Sequence, residues 1–186
     1  MRKLYNTLGF SVKEKGLKEF MHMLLKFCTK CAGHLIRKAT NLSVCRKCGF
    51  HMYINPRPTN AVIFLNKENE ILLVKRSRPP KKDYWDLPGG FVDIGETLEQ
   101  SVRREIQEEM DCTIGDLKLL GSYTGTYRYK GINYATLCFV FIARFPNKPL
   151  TRSDEFTSMR FFSKKKIPWN RIAFVDNKKA LHDYLL

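Results

Sequence analysis

The chain has 186 residues, 44% of them hydrophobic and 27% charged, and its 33 basic against 18 acidic side chains give a net charge of +15. That length holds one ordinary domain plus a small appendage, with enough apolar residues for a packed core. The longest apolar run, Leu137 to Ala143, is too short to cross a membrane. A field this positive draws phosphate-bearing substrates or nucleic acid, although a lysine-rich background that only keeps the protein dissolved is the plainer alternative.

Residues 1–27 alternate charged and apolar side chains without a sustained greasy run, so no secretory signal is expected. One Arg and two Glu in that stretch argue against a transit peptide, and the expected location is cytoplasmic. Leu17, Phe20, Met21, Leu24 and Leu25 fall at helical spacing, which predicts a short amphipathic helix in this N-terminal extension. It would dock on the body rather than lie on a membrane, and a native start at Met21 or Met23 stays open.

Residues 28–54 carry Cys28-Thr-Lys-Cys31 and Cys45-Arg-Lys-Cys48, separated by thirteen residues. Two such pairs bring four thiolates to one tetrahedral site suited to Zn²⁺, and a site with four protein ligands is structural, closed to hydrolysis. Disulfides are the competing reading, disfavoured without an export signal. Gly33 and Gly49 are expected to take positive φ in the two knuckles. Lys30, Arg37, Lys38, Arg46 and Lys47 decorate the ribbon, so nucleic-acid binding is an alternative to a merely solvated surface.

Asn55-Pro56-Arg57-Pro58 is a stiff linker. From Thr59 the pattern is β: AVIFL, a polar turn NKENE, then ILLVK, which predicts a hairpin of buried strands. Arg76 and the basic loop Arg78-Pro-Pro-Lys-Lys lead into Tyr84-Trp85-Asp86-Leu87-Pro88-Gly89-Gly90. Arg76 is a candidate phosphate clamp, with a strand-end charge as its plain alternative. Trp85, Gly89 and Gly90 are the other candidate substrate-binding residues.

Gly89 to Cys112 reads GGFVDIGETLEQSVRREIQEEMDC. Thr97 and Gln100 form a capping box, and Leu98, Val102, Ile106 and Met110 make one apolar stripe of the helix that follows. Glu105, Glu108 and Glu109 share an arc of roughly 100° bordering that stripe. Like charges there repel; only Arg104, four before Glu108, offers relief within the helix. A hard divalent cation with oxygen ligands suits such a cluster.

Beyond the helix, Leu117 to Tyr127 and Tyr134 to Phe145 read as strands, the second nearly all apolar and hence central. The tip between them is aromatic and basic; it could stack a nucleobase, but ordinary cross-strand aromatic pairs are the favoured reading. A loop over 146–158 contains Ser153-Asp154-Glu155. Met159 to Ser163 reads as a short strand, residues 167–173 as irregular, and 174–186 as a closing helix. Cys112 and Cys138 read as single buried thiols. Strands interrupted by one helix and finished by another predict an α+β domain.

Gly90, Glu96, Arg104, Glu105, Ile106, Glu108 and Glu109 stand in the register of the Nudix hydrolase signature, and residues 59–186 resemble that family. Asp111 and Cys112 depart from its closing Gly-aliphatic pair; Asp tolerates a left-handed conformation, so a small stability cost and intact chemistry are expected. The resemblance implies a Nudix α/β/α sandwich with a mixed sheet, preceded by the zinc ribbon. The cysteine pairs, the NPRP linker, WDLPGG and the closing Ala173-Phe174 and Ala180-Leu181 segment are similar to a subgroup with an N-terminal ribbon, which includes NADH pyrophosphatases. Their Ser-Gln-Pro-Trp-Pro-Phe-Pro run is missing here, so NADH as the preferred substrate is not implied.

The resemblance further implies Mg²⁺- or Mn²⁺-dependent hydrolysis of a nucleoside diphosphate derivative such as ADP-ribose, a nucleotide sugar or a dinucleotide. It assigns Glu105, Glu108, Glu109 and the Gly90 carbonyl to the metal, Arg104 to orienting the carboxylates and Glu96 to bracing Arg104. The general base is Glu105 or Glu155. Two other classes remain: an RNA-end (cap) hydrolase or RNA-binding protein using ribbon and basic surface, and a ligand sensor without turnover, disfavoured because every implied metal-binding carboxylate is present. A homodimer is compatible with the sequence.

Overall fold

The computed structural model describes residues 26–146 and 154–186, so the helix expected within the first 25 residues lies outside it. The chain divides into two units between Asn55 and Pro56.

The first unit is an antiparallel meander of β1 (Leu35–Arg37), β2 (Leu42–Cys45) and β3 (His51–Tyr53). Registers Ile36↔Val44 and Val44↔His51 align the three strands. Two knuckles precede β1 and follow β2: Ala32 N–H donates to Cys28 O at 2.9 Å and Gly49 N–H to Cys45 O at 3.0 Å. Gly49 has the expected positive φ of 69°, but in the first knuckle Ala32 (φ 56°) takes the left-handed position instead of Gly33. Gly33 answers a different need. A Cβ there would stand 2.7 Å from Lys47 Cβ and 3.0 Å from Cys45 Sγ, so the residue is small because the knuckles meet at it.

The second unit is built on β4 (Arg57–Leu65), β5 (Ile71–Arg76), β6 (Trp85–Asp86), β7 (Lys118–Tyr129), β8 (Ile132–Arg144) and β9 (Phe156–Phe162). The sheet runs β6-β5-β4-β8-β7, with β9 on the far edge of β5. β4 and β8 are parallel over nine pairs from Arg57↔Thr136 to Leu65↔Arg144, and the other pairs are antiparallel. The sheet is therefore mixed. The anticipated β4–β5 hairpin touches only at Leu65↔Ile71, because β6 takes over that edge of β5 at Val74 and Lys75. β4 also starts earlier than expected, inside the presumed linker. Pro58 lacks an N–H, but its carbonyl accepts from Val92 N–H, which a strand position permits.

Alternation along β4 makes the layers. Ala61, Ile63 and Leu65 face one cluster with Leu73, Val140, Ala180 and Leu181; Val62 and Phe64 face another with Leu72, Val74, Val102, Ile106 and Met110. Helix α1 (Leu98–Met110) thus covers one face and α2 (Val175–Leu185) the other, an α/β/α sandwich. Both 3-10 turns, Lys164–Lys166 and Trp169–Arg171, lie where sequence spacing offered no regular element. β9 begins three residues before the expected Met159, and Lys130-Gly131 turn the β7–β8 hairpin with φ 45° and 81°, the signs of a type I′ turn.

Candidate active site

The glycine pair is positioned by β4. Asn60 N–H donates to Gly90 O at 2.8 Å and Val62 N–H to Pro88 O at 2.9 Å, so the segment after β6 runs along β4 as a strand would. Gly89 has φ 136°, and a Cβ on it would meet Asn60 O at 2.5 Å; only glycine allows this approach. The buried Asn60 donates through Nδ2 to Ser101 Oγ at 2.9 Å, and Ser101 Oγ donates to Phe91 O at 3.2 Å. Strand, glycine segment and α1 are locked together through these two polar side chains.

Helix α1 starts and stops as its sequence dictates. Gln100 N–H donates to Thr97 Oγ1 at 3.2 Å and Thr97 N–H to Gln100 Oε1 at 2.8 Å, which completes the capping box. Asp111 closes the helix in the left-handed region, φ 49° and ψ 45°. Val102, Ile106 and Met110 are fully buried, and this packing sets which carboxylates turn inward. Across the arc the burial is graded: Glu109 is 6% exposed, the Glu105 side chain 16%, the Glu108 side chain 60%.

Arg104 organises the group. Its Nε donates to Glu96 Oε1 at 2.6 Å and Nη2 to Glu96 Oε2 at 3.0 Å, a bidentate pair. Nη1 donates to both Glu105 Oε1 and Glu108 Oε2 at 3.1 Å, and Nη2 also to Phe91 O. The guanidinium holds Glu96 down at about 2. Glu109 lies in the opposite regime. Burial pushes its carboxyl well above the usual range, the charges of Glu105 and Glu155 push it further, and its one opposing influence of note is Gly89 N–H, donating at 3.1 Å. Burial raises Glu105 as well, against the pull of Arg104.

These groups open onto a cavity of about 350 Å³, whose lining includes Gly89, Gly90, Glu105, Glu109, Glu155 and Arg76. Glu155 comes from the turn before β9, where Ser77 N–H donates to its carbonyl at 2.9 Å. Glu108 is not among the lining residues; it stays on the exposed side of the helix with Arg104. Trp85 departs from its expected role. It packs edge-on against Phe162 at 4.9 Å beside the α2-facing cluster, away from the cavity, because β6 pairing turns it inward. Arg76 does line the cavity, but its Nη1 is paired with Asp86 at 3.1 Å and its Nε donates to Pro80 O.

A hard divalent cation fits this donor set, which is all oxygen and holds two desolvated carboxylates that repel each other. Gly90 O accepts from Asn60 N–H, and a carbonyl has a second lone pair for a metal. A Cβ on Gly90 would overlap the Glu105 carboxylate at 2.4 Å, so the glycine leaves the room that carboxylate occupies. The three helix glutamates are not drawn onto one point: among the described residues, only the four ribbon cysteines have ligand atoms all within 4.8 Å of one another.

That cysteine cluster suits zinc. Sulfur separations of 3.2, 3.5 and 3.8 Å lie at or somewhat below the roughly 3.8 Å edge of a ZnS₄ tetrahedron. All four thiols are free of disulfides, and Cys48 backbone N–H, outweighing burial, lowers Cys45 to about 7.

The opposite wall of the cavity was not anticipated. Asp86, Asp176, Asn177 and Thr136 line it with Phe91, Tyr127 and Phe174. Asn177 Nδ2 donates to Asp86 Oδ1 at 2.6 Å, and Thr136 Oγ1 to Asp176 Oδ2 at 3.2 Å. These residues come from β6, β8 and α2 and meet only through tertiary structure. Tyr127 pairs across the hairpin with Tyr134 as expected, yet its ring also meets Phe91 at 5.4 Å and Phe174 at 5.7 Å.

No helix among the described residues is long and apolar enough to cross a membrane. The NUDIX domain model matches residues 55–184. An ADP-ribose pyrophosphatase of Methanocaldococcus jannaschii is 35% identical over 136 residues, 73% of this chain and 77% of that protein. An NAD-capped RNA hydrolase NudC of Haemophilus influenzae is 35% identical over 118 residues, 61% of this chain, but the match spans only 44% of that longer protein. Among solved structures, a NUDIX hydrolase from Nitrosomonas europaea superposes with TM-score 0.64 at 31% identity, covering 86% of this chain and 90% of its own. The NUDIX domain of Shewanella oneidensis NrtR, complexed with ADP ribose, shares the fold at 20% identity, with TM-score 0.59 over 71% of this chain and 88% of its own. With the signature helix, the glycine segment and the mixed sandwich in place, the chain belongs to the NUDIX family of pyrophosphohydrolases.

Proposed function

We propose that the chain hydrolyses the diphosphate linkage of a nucleoside diphosphate derivative, with ADP-ribose, a nucleotide sugar or a dinucleotide as substrate. The products are a nucleoside monophosphate and the phosphorylated remainder. The observation that carries this reading is Glu105 and Glu109, two desolvated carboxylates on one helical face, lining a cavity beside Gly89 and Gly90. The M. jannaschii relative, an ADP-ribose pyrophosphatase, supports ADP-ribose as the first candidate.

When bound, Mg²⁺ or Mn²⁺ supplies positive charge for the diphosphate oxygens and acidifies the attacking water. Glu105, Glu109 and the Gly90 carbonyl would hold it, with Glu108 adding charge from the rim. Arg104 keeps Glu105 and Glu108 in fixed orientations, and Glu96 keeps Arg104 in place. Arg76 and Arg78 offer positive charge to the phosphates, while Phe91, Tyr127 and Phe174 offer an apolar wall to a base or ribose. Water adds to phosphorus as the anhydride P–O bond breaks, and its proton passes to a cavity carboxylate. Glu105 and Glu155, which both line the cavity, are the two candidate acceptors.

A second reading, removal of a nucleotide cap from RNA, is favoured by the NudC relative. One hydrolysis panel tests both: ADP-ribose, NADH, UDP-sugars and NAD-capped RNA, each with Mg²⁺ or Mn²⁺, with Glu109→Gln as control. ADP-ribose should be cleaved to AMP and ribose 5-phosphate, and the variant should lose most turnover while remaining folded. Undiminished turnover by Glu109→Gln would remove the carboxylate site from the reaction.

A further inference from the structure

We infer that the open face of the ribbon sheet is a binding site for single-stranded nucleic acid. The inference concerns the first unit alone and does not depend on the catalytic reading. From Lys26 to Asn55 the chain has six basic side chains (Lys26, Lys30, Arg37, Lys38, Arg46, Lys47) and no acidic one. All six are exposed. Four thiolates and one Zn²⁺ would take two charges off, leaving +4 on residues 26–55.

The sheet itself supplies the second half of the site. Side chains alternate along a strand, so His51 and Tyr53 of β3 project to the same face. Across the registers Val44↔His51, Leu42↔Tyr53 and Ile36↔Val44, that face continues through Leu42, Val44 and Ile36, all half-buried. The other face carries the buried Ser43 and Cys45, the half-buried Leu35 and Met52 and the exposed Arg37. The His51 and Tyr53 side of the meander is thus an aliphatic floor under two exposed rings. Tyr53 is 59% exposed, and Phe27 and Phe50 add further exposed rings in the same unit.

Exposed aromatic rings among residues 26–55, which carry basic but no acidic side chains, match a strand whose bases are free to stack and whose phosphates need cations. A duplex hides its base faces, so Tyr53 and His51 would have nothing to stack against. A second copy of the ribbon is disfavoured as the occupant, because pairing would press two surfaces of like charge together. Basic residues alone would often be mere solvated surface; it is their combination with an uncovered aromatic face that selects this partner.

The test uses the full zinc-loaded chain without added divalent cation, so nothing is hydrolysed, and excess ADP-ribose to occupy the catalytic cavity. Fluorescein-labelled oligouridylate and oligothymidylate of roughly 12 nucleotides, within the span of small single-strand modules, are titrated by anisotropy. Saturable binding should weaken from about 50 to 200 mM salt, with a log–log slope of about −0.7 per phosphate neutralised. Tyr53→Ala should weaken it about tenfold, and Tyr53→Phe should restore it. Arg46→Glu combined with Lys47→Glu should flatten the salt slope, while ADP-ribose hydrolysis assayed separately with Mg²⁺ stays unchanged in these variants. Equal affinity for the two oligomers supports a general single-strand site, and preference for the ribo-oligomer narrows it to RNA. The inference falls if binding is absent at low salt, if these substitutions leave it untouched, or if sedimentation reveals a dimer that Tyr53→Ala dissolves.

Discussion

Asn177 Nδ2 donates to Asp86 Oδ1 at 2.6 Å, joining the first turn of α2 to the strand that leads into the glycine segment, 91 positions away. Asp86 Oδ2 in turn accepts from Arg76 Nη1, and the Arg76 guanidinium lies 5.0 Å over the Phe174 ring. Asp86 is thus the hub that fixes a cation in the cavity wall and latches α2 over it. Its position is costly: burial outweighs both partners and raises its carboxyl from an ordinary 3.8 to about 6.

A pH dependence follows from that shift. With the folded value above the unfolded one, Asp86 holds its proton more tightly in the native state, and the stability it contributes is complete below about 4 and lost as pH rises through about 6. The displacement corresponds to about 3 kcal/mol. Asp86→Asn cannot titrate. Chemical denaturation of both proteins at a series of pH values should therefore show the native chain losing about 2 kcal/mol of this relative to the variant between pH 4 and 7. A constant difference across that range would mean Asp86 does not sit in the low-dielectric environment described.

Arg104 gives a second prediction. Its planar fork reaches Glu96 with two nitrogens while Nη1 meets Glu105 and Glu108 together. A lysine ammonium is a point charge and cannot span these acceptors at once. Arg104→Lys should retain the fold and lose about 10- to 100-fold in kcat/KM, the range for losing a residue that orients metal ligands. A divalent-cation titration of activity should show a higher half-saturating concentration. An unchanged titration curve would reduce Arg104 to surface charge compensation.

The two adjacent glycines should fail differently. A Cβ at Gly89 collides with Asn60 and Ala61 backbone, which cannot yield cheaply, and φ 136° strains any side chain. At Gly90 the obstacle is the movable end of Glu105. Gly89→Ala should therefore lower stability by about 2 kcal/mol or more, the scale of backbone strain and overpacking. Gly90→Ala should melt near the native temperature but lose most activity, because Glu105 is displaced. Thermal melts alongside kcat measurements separate the two, and equal destabilisation would contradict the distinction.

The parts of this site that could be read from sequence are those whose causes are local. The capping box, the four-residue apolar stripe, the left-handed Asp111 and the relief of Glu108 by Arg104 all depend on residues within a few positions of each other. What local spacing could not reveal was which side of the carboxylate arc tertiary packing would bury. Hence Glu108 stands at the rim, while Glu109 lies beneath Gly89. Trp85 was misplaced for the same reason: its neighbours in sequence line the cavity, but pairing of β6 with β5 sends its ring to Phe162. Gly33 shows that a glycine can be required by a neighbour 14 positions away rather than by its own dihedral. The wall of Asp86, Asp176 and Asn177 has no local signature at all.

The ribbon supplies the last prediction. β1, β2 and β3 bury few apolar side chains, with Cys28 and Cys45 the only hydrophobic residues of the unit that are fully covered among those described. So small a core cannot by itself offset the entropy of ordering the chain. Metal ligation is expected to contribute the difference, as in other domains that are unfolded without zinc. Purified protein should hold about one zinc per chain by elemental analysis. Removing it with a chelator should collapse the amide dispersion of Leu35 to Tyr53 in NMR spectra. The 56–186 unit has its own two-cluster core and should keep its cooperative melt once Mg²⁺ is restored. Cys45→Ser should reproduce the loss of zinc without affecting that melt. A ribbon that stays dispersed after the metal is gone would show that its stability comes from packing instead.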